Sequence, residues 1–145
     1  DTFFFTIKKL KKNNNIDHFI SLAPTSPLTE VKDINRSIEL YFKKKAKTLV
    51  SVVKNDKPIE WCLNKMKNNK ITQFNNKKLK TNRQENKKLY IPNGSIYIFN
   101  YNYLKRNKKY INDKTFCYVM PKIKSVDIDD ELDFQIAEYL YKKRK

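Results

Sequence analysis

The sequence predicts an α/β domain with a mostly parallel sheet. Three observations carry that prediction: a short apolar run from His18 to Leu22, a helix-spaced set of Val31, Ile34, Ile38, Tyr41 and Phe42, and a β-branched run from Thr48 to Val53. Strand, helix and strand in that order make a βαβ unit, whose parallel strands are joined by a right-handed crossover. A chain of 145 residues is long enough for one domain with a real core and too short for two of ordinary size.

The elements follow in order. Phe4, Ile7, Lys8 and Leu10 suggest an opening helix that Asn13-Asn14-Asn15 ends. His18-Phe19-Ile20-Ser21-Leu22 reads as a buried strand delivering the rigid loop Pro24-Thr25-Ser26-Pro27. Thr29 is placed to N-cap the next helix, with Glu30 and Asp33 in its first turn. From Lys54 to about Tyr90 the pattern loosens into Lys- and Asn-rich pieces carrying Trp61 and Phe74, so residues 54–90 are expected to leave the sheet and to serve subunit contacts. Short strands are expected again at Gly94–Phe99 and Cys117–Met120. The last helix is the clearest element, with Leu132, Ile136, Ala137 and Leu140 on one face. Asp130, Glu131 and Asp133 stand at its start and Lys142, Lys143 and Arg144 at its end, which suits the macrodipole.

Composition excludes several classes. No apolar run approaches the roughly 20 residues of a membrane helix, and Asp1-Thr2-Phe3-Phe4-Phe5 lacks a basic-then-apolar leader, so the chain is read as starting at a cut edge and working in the cytoplasm. Cys62, Cys117 and His18 cannot supply the usual structural zinc site, and each cysteine is expected to be a small packed hydrophobe. The single glycine, Gly94, cannot build a phosphate-cradling loop, which normally needs several. The formal charge of +17 attracts polyanions non-specifically, yet only four of the 32 basic residues are arginines and the lysines are dispersed among asparagines. Groove readers favour clustered arginine, so solvated faces explain this charge better than a dedicated nucleic-acid site.

Several residues have chemistry to offer. In an extended Asp127-Ile128-Asp129 the two carboxylates share one face, a donor pair that suits Mg²⁺; the same acids also suit the start of the last helix. Arg83 is a lone planar fork in a lysine-using stretch, able to grip a carboxylate bidentately or simply to be solvated. Asn93-Gly94 is a turn signal. His18 fits a partly buried strand residue better than a general base, and Tyr97 and Tyr118 fit core or rim aromatics.

Pro24-Thr25-Ser26-Pro27-Leu28, Arg83-Gln84, Asn93-Gly94-Ser95-Ile96-Tyr97-Ile98, Tyr118-Val119-Met120-Pro121, Ser125-Val126-Asp127-Ile128-Asp129 and Asp133-Phe134 with Ala137-Glu138 stand in an order that resembles the acylneuraminate cytidylyltransferases, from about Ile16 to Leu140. The resemblance implies a doubly wound, Rossmann-like nucleotidyltransferase sheet, here incomplete: the family's opening strand and glycine-rich CTP loop have no match, so the chain looks like the C-terminal two-thirds of such an enzyme and is expected to be inactive alone. It implies transfer of CMP from CTP to a nine-carbon 2-keto sugar acid, with Mg²⁺ on Asp127 and Asp129. It gives Arg83 to the sugar carboxylate and places Asn93, Tyr97, Thr25 and Ser26 on the substrate side. Residues 54–90 correspond to a dimerisation excursion of a homodimer, from which Arg83 would reach the partner's site. Ala23 stands where the family commonly has Gln, and Thr29 where it has Arg, which leaves the acceptor open among sialic, legionaminic and pseudaminic acids. The competing expectation is a basic nucleic-acid-binding or non-catalytic partner-binding α/β module.

Overall fold

The computed structural model describes residues 2–11, 15–74 and 88–144. The chain divides into two compact units, residues 1–53 with 92–145, and residues 54–91.

In the larger unit, helix α1 (Thr2–Lys11) is followed by strand β1 (His18–Leu22), helix α2 (Val31–Lys43) and strand β2 (Thr48–Lys54). In the smaller unit, a 3-10 turn at Ile59–Trp61 precedes a hairpin of β3 (Leu63–Lys65) and β4 (Ile71–Gln73). Its register pairs Leu63 with Gln73 and Lys65 with Ile71, and Asn68 and Asn69 turn the chain at positive φ, a conformation that asparagine tolerates. Strand β5 (Tyr90–Asn100), helix α3 (Tyr101–Asn107), strand β6 (Phe116–Val119) and helix α4 (Glu131–Lys142) complete the chain.

The main sheet has the order β1-β5-β2-β6. β1 pairs antiparallel with β5, Leu22 opposite Ile96, and β2 pairs parallel with β6, Val50 opposite Cys117. The Asn100 N–H donates to the Lys47 carbonyl and the Ile96 N–H to Ser51 Oγ, so residue numbers fall along β2 as they rise along β5 and these two also run antiparallel. β1, β2 and β6 therefore point one way and β5 the other. The sheet is mixed, and the expected βαβ unit is corrected in one respect: β1 and β2 share a direction but β5 lies between them. Periodicity could not show this, because β5 buries Asn93, Ser95, Ile96, Ile98 and Phe99 and so has no solvent face to reveal its neighbours.

The core is Tyr41, Ala46, Leu49, Ile96, Ile98 and Met120, with Ile34, Ile38, Leu40 and Tyr118 packed on it. Each fully buried Leu or Ile contributes about 1.5–3 kcal/mol over an exposed one. β2 is the spine, with Thr48 to Val52 all buried. β1, expected to be buried, is an edge strand whose Ile20 and Leu22 remain exposed, since only one side of it is paired.

Four local expectations also shift. The N-cap of α2 is Glu30 rather than Thr29. Its buried stripe is Asp33, Ser37 and Tyr41, while Val31 is 72% exposed, because a charge from outside the helix compensates Asp33. Asn93-Gly94 lies inside β5 instead of forming a turn. Cys62 and Cys117 are exposed free thiols rather than packed groups. α2 and α3 are each followed by a lysine at positive φ, Lys45 and Lys108, where glycine usually stands. Among the described residues no helix is long and apolar enough to cross a membrane.

Candidate active site

Chemistry-bearing side chains converge where β2 and β6 end and β5 begins. In open α/β sheets the carboxyl ends of parallel strands are where loops can surround a ligand. β1 ends at the same edge, since Leu22 lies opposite Ile96 and the Ala23 N–H donates to the Ser95 carbonyl. It therefore delivers the Pro24–Leu28 loop here.

Asn93 is the hub of a buried polar cluster. Its Oδ1 accepts from Ser51 Oγ at 2.6 Å, and its Nδ2 donates to Ser125 Oγ at 2.9 Å and Met120 Sδ at 3.3 Å. Ser51 Oγ in turn accepts from the Ile96 N–H at 2.8 Å. Both ends of the Asn93 amide are thus committed within the protein, tying β5 to β2 and to the segment after β6. A satisfied buried network of this kind specifies one arrangement of the strands that carry it.

Gly94 has φ +78°, and a Cβ there would stand 2.6 Å from Asp127 Oδ2 and 3.3 Å from Asp127 Cγ. The missing side chain is what lets the Asp127 carboxylate lie over β5. Asp127 Oδ1 is buried and has no hydrogen-bond partner. A buried carboxylate oxygen without a donor is costly, so this atom marks a place where a cation or donor belongs. The Ile128 N–H donates to the Thr25 carbonyl at 2.9 Å, joining the Asp127 segment to the Pro24–Leu28 loop. In that loop the Thr25 side chain is exposed, whereas Ser26 is buried and its Oγ is also without a partner. Burial pushes the Tyr97 phenol up, and the nearby Tyr110 and Asp127 push it further the same way.

The acids at the start of α4 separate into two roles. Asp130, the N-cap of α4, accepts at Oδ1 from the Asp133 N–H at 2.9 Å, and Asp133 Oδ2 accepts from the Asp129 N–H at 3.2 Å. Capping thus accounts for Asp130 and Asp133 but not for Asp127. The Asp129 side chain is exposed. Among the described residues no group of three or more His, Cys, Asp or Glu side chains could hold a metal ion. A cation at this edge would rest on Asp127 and Asp129 alone, with water and phosphate oxygens completing its shell. That donor set fits Mg²⁺, which typically keeps several waters.

Arg83, expected at the sugar carboxylate, lies outside the described residues. His18 places Nδ1 2.9 Å from the Tyr41 hydroxyl, at the opposite end of β1 from the Pro24–Leu28 loop.

A second cluster escaped sequence reasoning. Lys124 Nζ lies 2.7 Å from Glu30 Oε2 and 2.9 Å from Asp33 Oδ2. Tyr118 donates its hydroxyl to Asp33 Oδ1 at 3.2 Å, and Arg144 bonds the Leu28 carbonyl at 2.8 Å while facing Glu30. Burial pushes the Asp33 carboxyl up, but hydrogen bonds from Lys124, the Glu30 N–H and Tyr118, with the Lys124 charge, overcome this and hold it below the usual range. The Lys124 hydrogen bond likewise lowers Glu30. Asp33, Ser37 and Tyr41 at i, i+4 and i+8 are the signal that could have revealed a buried acid; among so many lysines nothing distinguished Lys124.

No protein-family model matches the sequence. Individual relatives do. Post-translational flagellin modification protein B of Campylobacter coli is 29% identical over 88% of this chain and 54% of its own length. N-acylneuraminate cytidylyltransferase of Escherichia coli O18:K1:H7 is 29% identical over 99% of this chain and 34% of its own. CMP-N,N'-diacetyllegionaminic acid synthase of Campylobacter jejuni is 40% identical over 52% of this chain and 32% of its own. The chain thus spans between about a third and about half of these relatives. Relatives named as cytidylyltransferases match it over 94–99% of its length, and the Pro24–Leu28, Asn93–Ile98 and Ser125–Asp129 motifs meet at one edge of the sheet: the chain is similar to the acylneuraminate cytidylyltransferases.

Proposed function

We propose that this chain contributes the acceptor and metal side of a reaction that transfers CMP from CTP to the anomeric hydroxyl of a nine-carbon 2-keto sugar acid of the sialic, legionaminic or pseudaminic type, releasing pyrophosphate. The observation that carries the reading is Asp127 Oδ1, buried and unpartnered where Gly94 makes room for the carboxylate. Asp127 and Asp129 would hold Mg²⁺, which when bound offsets charge on the α-phosphate and on the leaving pyrophosphate. Arg83 would pair with the sugar carboxylate, holding the attacking oxygen near phosphorus and lowering the entropic barrier. Thr25 and Ser26 would offer hydroxyls from the adjoining loop, and Tyr97 would stand on the acceptor side. Asn93, its amide already committed, holds Gly94 and Ser125 in place. Residues 54–90 would serve homodimer contacts, a reading supported by the exposed Trp61, Leu63, Met66, Ile71 and Phe74.

Two measurements on the 145-residue chain test the site. Mn²⁺, a spectroscopic stand-in for Mg²⁺, should bind, and Asp127→Asn should weaken it at least about tenfold while Asp130→Asn leaves it unchanged. Saturation-transfer NMR should show contact with at least one of the three acids. Metal binding indifferent to Asp127, together with no contact to any of the acids at millimolar concentration, would overturn the reading.

A further inference from the structure

We propose that Lys124 is a positioning residue: its ion pairs with Glu30 and Asp33 set where the Asp127 carboxylate points. The inference rests on the metal-site reading above and extends it to a residue outside the site. Asp127 Oδ1 makes no hydrogen bond, so its aim depends on how its backbone is held. Contacts at Lys124, Ser125 and Ile128 tie the 121–128 segment to other elements. Lys124 is clamped to the start of α2 by Glu30 at 2.7 Å and Asp33 at 2.9 Å. Ser125 Oγ accepts from Asn93 Nδ2 at 2.9 Å, and the Ile128 N–H donates to the Thr25 carbonyl at 2.9 Å. Lys124 is a charged, largely buried anchor, and it stands three residues before Asp127.

Burial gives that anchor its directional force. The Asp33 side chain is 4% exposed and that of Lys124 18%, so water screens the pair poorly. Asp33 is fixed in its turn, since Oδ2 also accepts from the Glu30 N–H and Oδ1 from the Tyr118 hydroxyl. A buried ion pair stabilises a fold little compared with apolar packing, but it admits few geometries. The same two acids begin the helix that follows the Pro24–Leu28 loop, so one lysine orients both walls of the site: the loop through α2, and Asp127 through its own segment.

The test compares Lys124→Met, Lys124→Arg and the double variant Asp33→Asn/Lys124→Gln with the wild-type chain. Amide exchange is read at Ile128, with Val50 in the core strand as reference, and Mn²⁺ affinity is measured on the same samples. Lys124→Met should speed Ile128 exchange at least about tenfold relative to Val50 and weaken Mn²⁺ binding about 10- to 100-fold. Lys124→Arg, which keeps the charge and the donors, should restore most of both. If Lys124→Met fails to fold because buried Asp33 is left unpaired, the double variant, which removes the charges of Asp33 and Lys124 together and leaves Glu30 facing Arg144, gives the same readouts. Ile128 exchange that is unchanged, or faster only in step with Val50, would overturn the proposal. If the wild-type chain binds no Mn²⁺ while Ile128 exchange rises as expected, the metal reading fails and the positioning of Asp127 by Lys124 stands.

Discussion

At the scale of single residues, Gly94 and Asp127 form one unit. A Cβ on Gly94 would meet Asp127 Oδ2 at 2.6 Å, and φ +78° is a conformation that only glycine adopts freely. Gly94→Ala should therefore cost about 1–3 kcal/mol from backbone strain and also displace the carboxylate, so a denaturant melt and a Mn²⁺ titration should both register it. An unchanged melting curve would show that the strand relaxes around the methyl group. Asp127 was legible in the sequence as a candidate ligand, from its place with Asp129 in an alternating acidic segment. The contact between Gly94 and Asp127 was not, since it joins residues 33 positions apart and Asn93-Gly94 is locally a turn signal. Asn93 was legible as notable and not as a structural hub, because its partners Ser51, Met120 and Ser125 come from separate elements.

At the scale of elements, α2 and α4 start differently and respond differently to change. Asp130 caps α4 through the Asp133 N–H, so Asp130→Ala should cost about 1 kcal/mol while Mn²⁺ affinity stays as in wild type. α2 begins on a buried acid whose folded-state pKa lies below its ordinary value of 3.8. A depressed carboxyl stabilises the fold above its unfolded pKa, and that contribution is lost as pH falls through the folded value. The wild-type chain should therefore exceed Asp33→Asn in melting temperature by a constant margin from pH 7 to about pH 5, and the margin should shrink below about pH 4. A margin that persists to pH 2 would mean that Asp33 acts through shape rather than charge. The helices and strands themselves were largely legible, from 3.6-residue and two-residue periodicities that depend on neighbouring residues only. Strand order was not, because the insertion of β5 between β1 and β2 is decided by side chains buried on both of its faces.

At the scale of the whole molecule, two properties act at once: a single glycine and a formal charge of +17. One glycine, already occupied with Asp127, leaves none for a loop that cradles a triphosphate. The 145-residue chain by itself should therefore release no measurable pyrophosphate from CTP, Mg²⁺ and any of the three sugar acids, and clear turnover would sink that expectation. The charge leads to a separate expectation. Its lysines are dispersed, and a compact ammonium lacks the planar fork that reads guanine edges bidentately. Attraction to a duplex would then come from phosphate neutralisation alone, which is indifferent to base sequence and is lost as salt replaces the released counterions. Fluorescence anisotropy with two unrelated duplexes should give equal affinities, and both should fall by about 10³ or more between 50 and 200 mM salt if six or more phosphates are contacted. Nanomolar binding at physiological salt that distinguishes the two duplexes would instead require a built base-reading surface, and would return the chain to the class of nucleic-acid-binding modules.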